Sequence, residues 1–240
     1  MSKTWVAAHT GCGISPDNTM ASFLEGIRSG ADIVEVDVLV SCDATALLLH
    51  DDSPYLQLHT YEQLNEPAMR RLLGSAYEEH EIATLEQIIQ VSEHLGTKLN
   101  LDLKSAASIE PTISLIRKYG AQKRAFITGY SESITTRYPD IQVMINTPVK
   151  LTMEQLDHYD SFAELVCREA QQGGYTGLNM NSQTCLPPIV DKAHAYGLTV
   201  WVYTVNEKQH IERFIQMGVD AITTRAPEVL LKALSRSSPI

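Results

Sequence analysis

Glu35 and Asp37 stand in the largely apolar, β-branched stretch Ala31-Asp32-Ile33-Val34-Glu35-Val36-Asp37-Val38-Leu39-Val40. Such a run reads as a buried strand. Side chains alternate along a strand, so the two carboxylates share one face. Burying two like charges without a partner costs several kcal/mol or more. Something must neutralise them. A hard divalent cation with oxygen ligands would do so, and so would a pair of salt-bridging Lys or Arg side chains. Two histidines bracket this strand. His9 ends the run Trp5-Val6-Ala7-Ala8, and His50 ends Ala46-Leu47-Leu48-Leu49 and precedes Asp51. Each lies where a strand gives way to a loop. A lone histidine in such a place is more often structural, but two around a carboxylate pair point toward catalysis.

These residues resemble the glycerophosphodiester phosphodiesterases, within the phospholipase C-like phosphodiesterase superfamily. That family opens with a strand ending in His-Arg-Gly, followed by Pro-Glu-Asn-Thr, Glu-x-Asp and His-Asp. Here the same order runs His9-Thr10-Gly11, Pro16-Asp17-Asn18-Thr19, Glu35-Val36-Asp37 and His50-Asp51. Ile82-Ala83-Thr84-Leu85-Glu86 and Leu99-Asn100-Leu101-Asp102-Leu103-Lys104 continue the likeness. Thr204-Val205-Asn206 and Gly218-Val219-Asp220-Ala221-Ile222-Thr223-Thr224 extend it almost to the end. The ordered set is specific where each motif alone is not.

The resemblance implies a metal-dependent hydrolysis of glycerophosphodiesters to glycerol 3-phosphate and an alcohol. It makes Glu35, Asp37 and Asp102 ligands of one divalent ion, Mg2+ or Ca2+. Lys104 becomes a phosphate contact, and His9 and His50 the acid–base pair. Asp102 stands where the family usually has Glu, a shorter arm that binds through a bridging water or draws the metal nearer the strand. Three other positions depart from the family. Thr10 replaces an arginine able to grip phosphate bidentately. Arg225 stands where the family shows Asp after Ile-x-Thr. In a closed barrel the last strand lies beside the first, so Arg225 is expected to supply the cation missing at position 10, or else to pair with a carboxylate such as Glu228. Tyr203 replaces the tryptophan before Thr-Val-Asn, with Trp201 two residues earlier on the same face, and both are expected substrate contacts. Asn179 and Asn181 share a face of the sixth strand. They can reach substrate hydroxyls or satisfy one another.

Two other readings are carried forward. A barrel without the arginine can bind a phosphorylated ligand without turnover. Lys104 at a strand end can alternatively form a Schiff base, although nearby carboxylates keep a lysine protonated.

The elements that must position these groups alternate strand and helix. Strands are expected to end near His9, Leu39, Lys104, Tyr130, Thr147, Asn181, Val205 and Arg225. Helical patterns run Asn18 to Ser29, Leu85 to His94, Ile109 to Tyr119, Ser133 to Tyr138, Thr152 to Gln171, Pro188 to Tyr196, Glu207 to Met217 and Pro227 to Leu234. Gly30, Gly96, Gly120, Gly173, Gly197 and Gly218 follow helices, where a left-handed stop suits glycine. The series predicts an α/β fold, a (β/α)8 TIM barrel forming one domain over 1–240. Asp51 to Glu81 break the rhythm as a small insertion after the second strand, and in the related enzymes such an insertion lies over the site.

The chain has 240 residues, 44% of them hydrophobic, enough for one large core. Its net charge of −10 argues against a general nucleic-acid binder. No apolar run approaches the roughly 20 residues of a membrane span, and Met1-Ser2-Lys3-Thr4 reads as no signal peptide. Cys12, Cys42, Cys167 and Cys185 lack metal-site spacing and fit a reducing, cytoplasmic setting. The expected partner is a small-molecule phosphodiester, and a homo-oligomer is left open.

Overall fold

The computed structural model describes residues 3–237. Among them nine strands form one sheet: β1 (Trp5–Ala8), β2 (Ile33–Val40), β3 (Ala46–Leu48), β4 (Lys98–Leu103), β5 (Ala125–Gly129), β6 (Gln142–Asn146), β7 (Gly177–Asn181), β8 (Thr199–Tyr203) and β9 (Ala221–Thr224). Eight of these pair in parallel, and β1 meets both β2 and β9, so the sheet closes. The expected (β/α)8 barrel is present. β3 is the exception. It pairs antiparallel with the end of β2, with Val38 opposite Leu48 and Val40 opposite Ala46.

Local sequence explains the connecting helices. The first, Met20–Arg28, begins at Thr19, whose side chain accepts from the Ser22 N–H while the Ser22 hydroxyl accepts from the Thr19 N–H. This reciprocal cap satisfies two orphan donors of the first turn. Thr84 does the same for Leu85–Leu95 with Gln87. Gly96 and Gly218 end their helices with φ of 69° and 77°. Two details differ from the expectation. The helix expected over Thr152 to Gln171 breaks at His158 into Met153–Asp157 and Tyr159–Gln172. The left-handed stop there belongs to Gly174 (φ 71°), because Gly173 is still helical.

Packing divides the molecule into layers. Outside the sheet, two large apolar clusters fill the space between strands and helices, one around β2, β4 and β5 and one around β7, β8 and β9. Inside the barrel a smaller cluster joins Ala7, Ile33, Phe126, Met144, Trp201 and Ala221, with Trp5 against it. The rings of Phe126 and Trp201 lie 4.7 Å apart, and Trp5 meets both edge-on. These residues plug the N-terminal end of the barrel. Two residues further along the same strand faces come Glu35, Thr128, Asn146, Tyr203 and Thr223. The interior therefore turns from apolar to polar within one layer.

The excursion 51–81 folds into three short α-helices, Pro54–Leu58, Tyr61–Leu64 and Pro67–Leu73, and a 3-10 turn, Ser75–Tyr77. Leu56, Leu64, Tyr77 and Ile82 pack there against Leu39, Leu47 and Leu49 in a cluster of their own.

Candidate active site

The polar layer opens into a cavity of ≈ 170 Å³ at the C-terminal end of the barrel. Its walls include His9, Glu35, Asp37, His50, Asn100, Asp102, Lys104, Asn179 and Tyr203. The register explains the convergence. β2 and β4 align Glu35 with Asn100 and Asp37 with Asp102, and β5 sets Thr128 beside Asp102. Glu35, Asp37 and Asp102 each offer an oxygen within 4.8 Å of the others.

Each carboxylate is held by a different element. The Thr10 N–H donates to Glu35 Oε2 at 2.7 Å from the tight turn His9–Gly11 that follows β1. Thr10 has φ of 53° there. Position 10 thus serves Glu35 through its backbone, a contact available to any side chain. Asn18 Nδ2 donates to Asp37 Oδ2 at 2.7 Å, and the Asp37 N–H donates to Asn18 Oδ1. The Thr128 hydroxyl lies 2.9 Å from Asp102 Oδ1. Lys104 bridges the pair, with Nζ 2.8 Å from Asp37 Oδ1 and in contact with Asp102 Oδ2.

The charges are unbalanced. Three carboxylates face one lysine. Glu35 is 5% exposed, and burial pushes its carboxyl well above the usual range, with Asp37 and Asp102 adding repulsion. Hard oxygen donors around a surplus of negative charge suit Mg2+ or Ca2+ rather than a softer ion. The residues present therefore fit a divalent cation, and among the described residues they are the one group of this kind. Burial opposes the charge on Lys104, but Asp102 and Asp37 outweigh it and raise the ammonium above its ordinary value. A lysine held protonated is no Schiff-base nucleophile, so that reading is set aside.

The histidines stand at the rim. His9 is half-buried, and its imidazole is held below the ordinary value by burial and then by the Arg225 charge. His50 lies two residues beyond β3, with its side chain 66% exposed and Nδ1 2.7 Å from Asp51 Oδ1.

Two expected contacts are placed elsewhere. Trp201 is fully buried in the apolar plug and is absent from the cavity wall. It shares a face with Tyr203, but two residues of strand separate them by about 6.6 Å in height. Arg225 stays outside the wall too. It grips Asp17 with both terminal nitrogens, Nη1 at 2.9 Å from Oδ1, and its N–H donates to Asn206. Its carboxylate partner is Asp17, not Glu228. This pair straps the end of β9 to the loop after β1. Asn179 does line the cavity, donating to Asn146 Oδ1 at 2.8 Å, whereas Asn181 caps the turn at Gln183.

The sequence reading passed over Asn18, Asn100, Thr128, Asn146 and Thr223. Asn18, Asn100 and Thr223 stood inside quoted motifs without a role. The four other than Asn18 are neutral side chains whose place depends on pairing between strands.

Known proteins share this architecture. A glycerophosphodiester phosphodiesterase of Caldanaerobacter subterraneus is 23% identical over 98% of this chain and 99% of its own. One from Bacillus altitudinis is 24% identical over 95% and 97%. An Oleispira antarctica phosphodiesterase, solved in complex with the product sn-glycerol-3-phosphate, superposes with a TM-score of 0.79 at 21% identity over 97% of both chains. Among the described residues no helix is long and apolar enough to cross a membrane. The family match covers residues 9–229, from the first rim histidine to the last helix, and the chain belongs to the glycerophosphoryl diester phosphodiesterase family.

Proposed function

We propose that this chain hydrolyses glycerophosphodiesters to sn-glycerol 3-phosphate and an alcohol, using one divalent cation, Mg2+ or Ca2+, held by Glu35, Asp37 and Asp102. The observation that carries this reading is the meeting of three carboxylates, one lysine and two histidines at one barrel mouth. When bound, such a cation stabilises the negative charge that builds on the phosphoryl oxygens. Lys104 adds a second fixed positive charge. Two of its donors serve Asp37 and Asp102, and a third is left for a phosphate oxygen.

His9, kept neutral at pH 7, accepts the proton of the attacking hydroxyl as its oxygen bonds to phosphorus. That hydroxyl belongs to water or to the glycerol carbon next to the phosphate ester. His50 has Nδ1 committed to Asp51, so Nε2 is the atom that returns a proton to the departing alkoxide. The bond from phosphorus to that alkoxide breaks. With water as nucleophile this gives sn-glycerol 3-phosphate directly, and solvent resets both rings. With the glycerol hydroxyl it gives a cyclic phosphodiester, which water then opens as His50 takes the proton of that water and His9 returns one to the departing glycerol oxygen. Positioned acids and bases of this kind each contribute about 100-fold or more.

The four free cysteines are consistent with a reducing, cytoplasmic setting. Release of sn-glycerol 3-phosphate from glycerophosphocholine and glycerophosphoethanolamine, with Mg2+, Ca2+ or EDTA, tests the reading. Activity is expected with a cation and none with EDTA. Millimolar cation should also raise the melting temperature, and Glu35→Gln should abolish that rise. No turnover of either ester, with no thermal response to either ion, would sink the proposal.

A further inference from the structure

Three residues of the cavity wall carry a buried polar atom with no hydrogen-bond partner among the described residues: His9 Nδ1 after β1, Asn179 Oδ1 and Thr223 Oγ1. Asn179 and Thr223 are 6% and 2% exposed. One layer below, Trp201 Nε1 is a further such atom. His9 is taken up by the acid–base chemistry, and the other three come from β7, β8 and β9, one arc of the barrel. Unpartnered buried groups weaken a fold and are scarce in native proteins. Asn179 cannot relieve its own carbonyl, because Nδ2 is committed to Asn146 and this bond sets the amide's orientation. The opposite arc is charged, through Glu35, Asp37, Asp102 and Lys104. The arc from β6 to β9 presents only Asn146, Asn179, Tyr203 and Thr223 to the cavity, all neutral.

We propose that this neutral arc recognises the terminal hydroxyl of the substrate's glycerol, with Asn179 Oδ1 accepting its proton and Thr223 Oγ1 donating to its oxygen. The inference rests on the function proposed above and deepens it. The phosphoryl group belongs with the charged arc. The hydroxyl furthest from phosphorus is then the one that crosses the cavity to the neutral arc. An acyl group on that hydroxyl would remove the proton Asn179 needs and would not fit the space. Deacylated glycerophosphodiesters are thus the class selected, and 1-acyl lysophospholipids are refused.

The test compares glycerophosphocholine with the phosphocholine ester of propane-1,2-diol, which keeps the hydroxyl beside the phosphate and lacks the terminal one. The wild-type chain should prefer glycerophosphocholine in kcat/KM by roughly 10-fold or more. Asn179→Ala and Thr223→Val should each bring that ratio toward one, chiefly through KM for glycerophosphocholine. Thr223→Val should melt no lower than wild type, because the hydroxyl it removes has no partner among the described residues. 1-Acyl lysophosphatidylcholine should be turned over poorly. Equal wild-type kcat/KM for the two esters, equal losses on both in the variants, or brisk turnover of the lysophospholipid would each overturn the inference while leaving the hydrolase reading intact. If no ester is turned over at all, the hydrolase reading fails separately. Calorimetric titration with sn-glycerol 3-phosphate and with propane-1,2-diol 1-phosphate then decides the inference. Tighter binding of the former, lost in Asn179→Ala, supports it, and equal binding refutes it.

Discussion

His9 and His50 meet solvent differently, and their kinetics should differ accordingly. Burial and the Arg225 charge hold His9 below 6.5, so it takes up a proton only in acid. A bound cation nearby would lower it further. The expected profile of kcat/KM rises with pH through a limb centred below 6.5. His9→Ala should cost roughly 100-fold or more in kcat and erase that limb, and His50→Ala should cost as much and leave it. Arg225→Gln removes a positive neighbour and frees Asp17, so the limb should move upward. An acid limb that persists in the His9 variant assigns it to another group. Much of this site was legible in the sequence, because carboxylate, lysine and histidine carry chemistry on their own. Arg225 was left between a phosphate contact and a carboxylate pair, because a guanidinium near a phosphate site and one paired with Asp17 look alike until the loop after β1 is placed.

The elements place the carboxylates through close approaches that only small residues allow. Gly129 ends β5 with φ of 73°, and a Cβ there would lie 2.3 Å from the Leu103 carbonyl oxygen and 2.6 Å from Asp102 Oδ1. Gly129→Ala should therefore act on the chemistry from outside the cavity. It should cost about 1–3 kcal/mol of stability from backbone strain. It should also displace Asp102, so that half-maximal thermal stabilisation requires more Mg2+ or Ca2+. Unchanged cation dependence would show that β4 holds Asp102 without regard to β5. Strands and helices were readable from their periods of two and 3.6. Register between strands was not. Asn100, Thr128, Asn146 and Thr223 matter because of what lies beside them, and one strand's sequence says nothing of its neighbour's alignment.

On the scale of the molecule, the excursion is a second, smaller packing unit attached to the barrel by β3. Leu64 is fully buried within it. The Tyr61 hydroxyl donates to the Ile82 carbonyl, and the Ile82 N–H donates to Asn65 Oδ1, both at 2.9 Å. Leu64→Ala should cost about 2–5 kcal/mol in this unit. Amide exchange should quicken over residues 51–81, and turnover should fall because His50 stands at the root of the excursion. Stabilisation by the cation should persist, since Glu35, Asp37 and Asp102 belong to the barrel. Exchange that quickens evenly along the chain would show that the two parts open together. The sequence marked this segment as a break in the alternation, but its short helices carry too few turns to declare their faces.

The aromatic plug of Trp5, Phe126 and Trp201 fills the barrel beneath the cavity, so ligands are expected to pass through the C-terminal mouth. Whatever enters must leave by the same route, in reverse order of depth. The alcohol, nearer the mouth, departs first, and sn-glycerol 3-phosphate departs last. Added sn-glycerol 3-phosphate should then compete with the diester for free enzyme and raise KM without lowering kcat. Added choline should inhibit weakly and non-competitively when glycerophosphocholine is the substrate. Competitive inhibition by choline would mean that the head group reaches deeper than the glycerol.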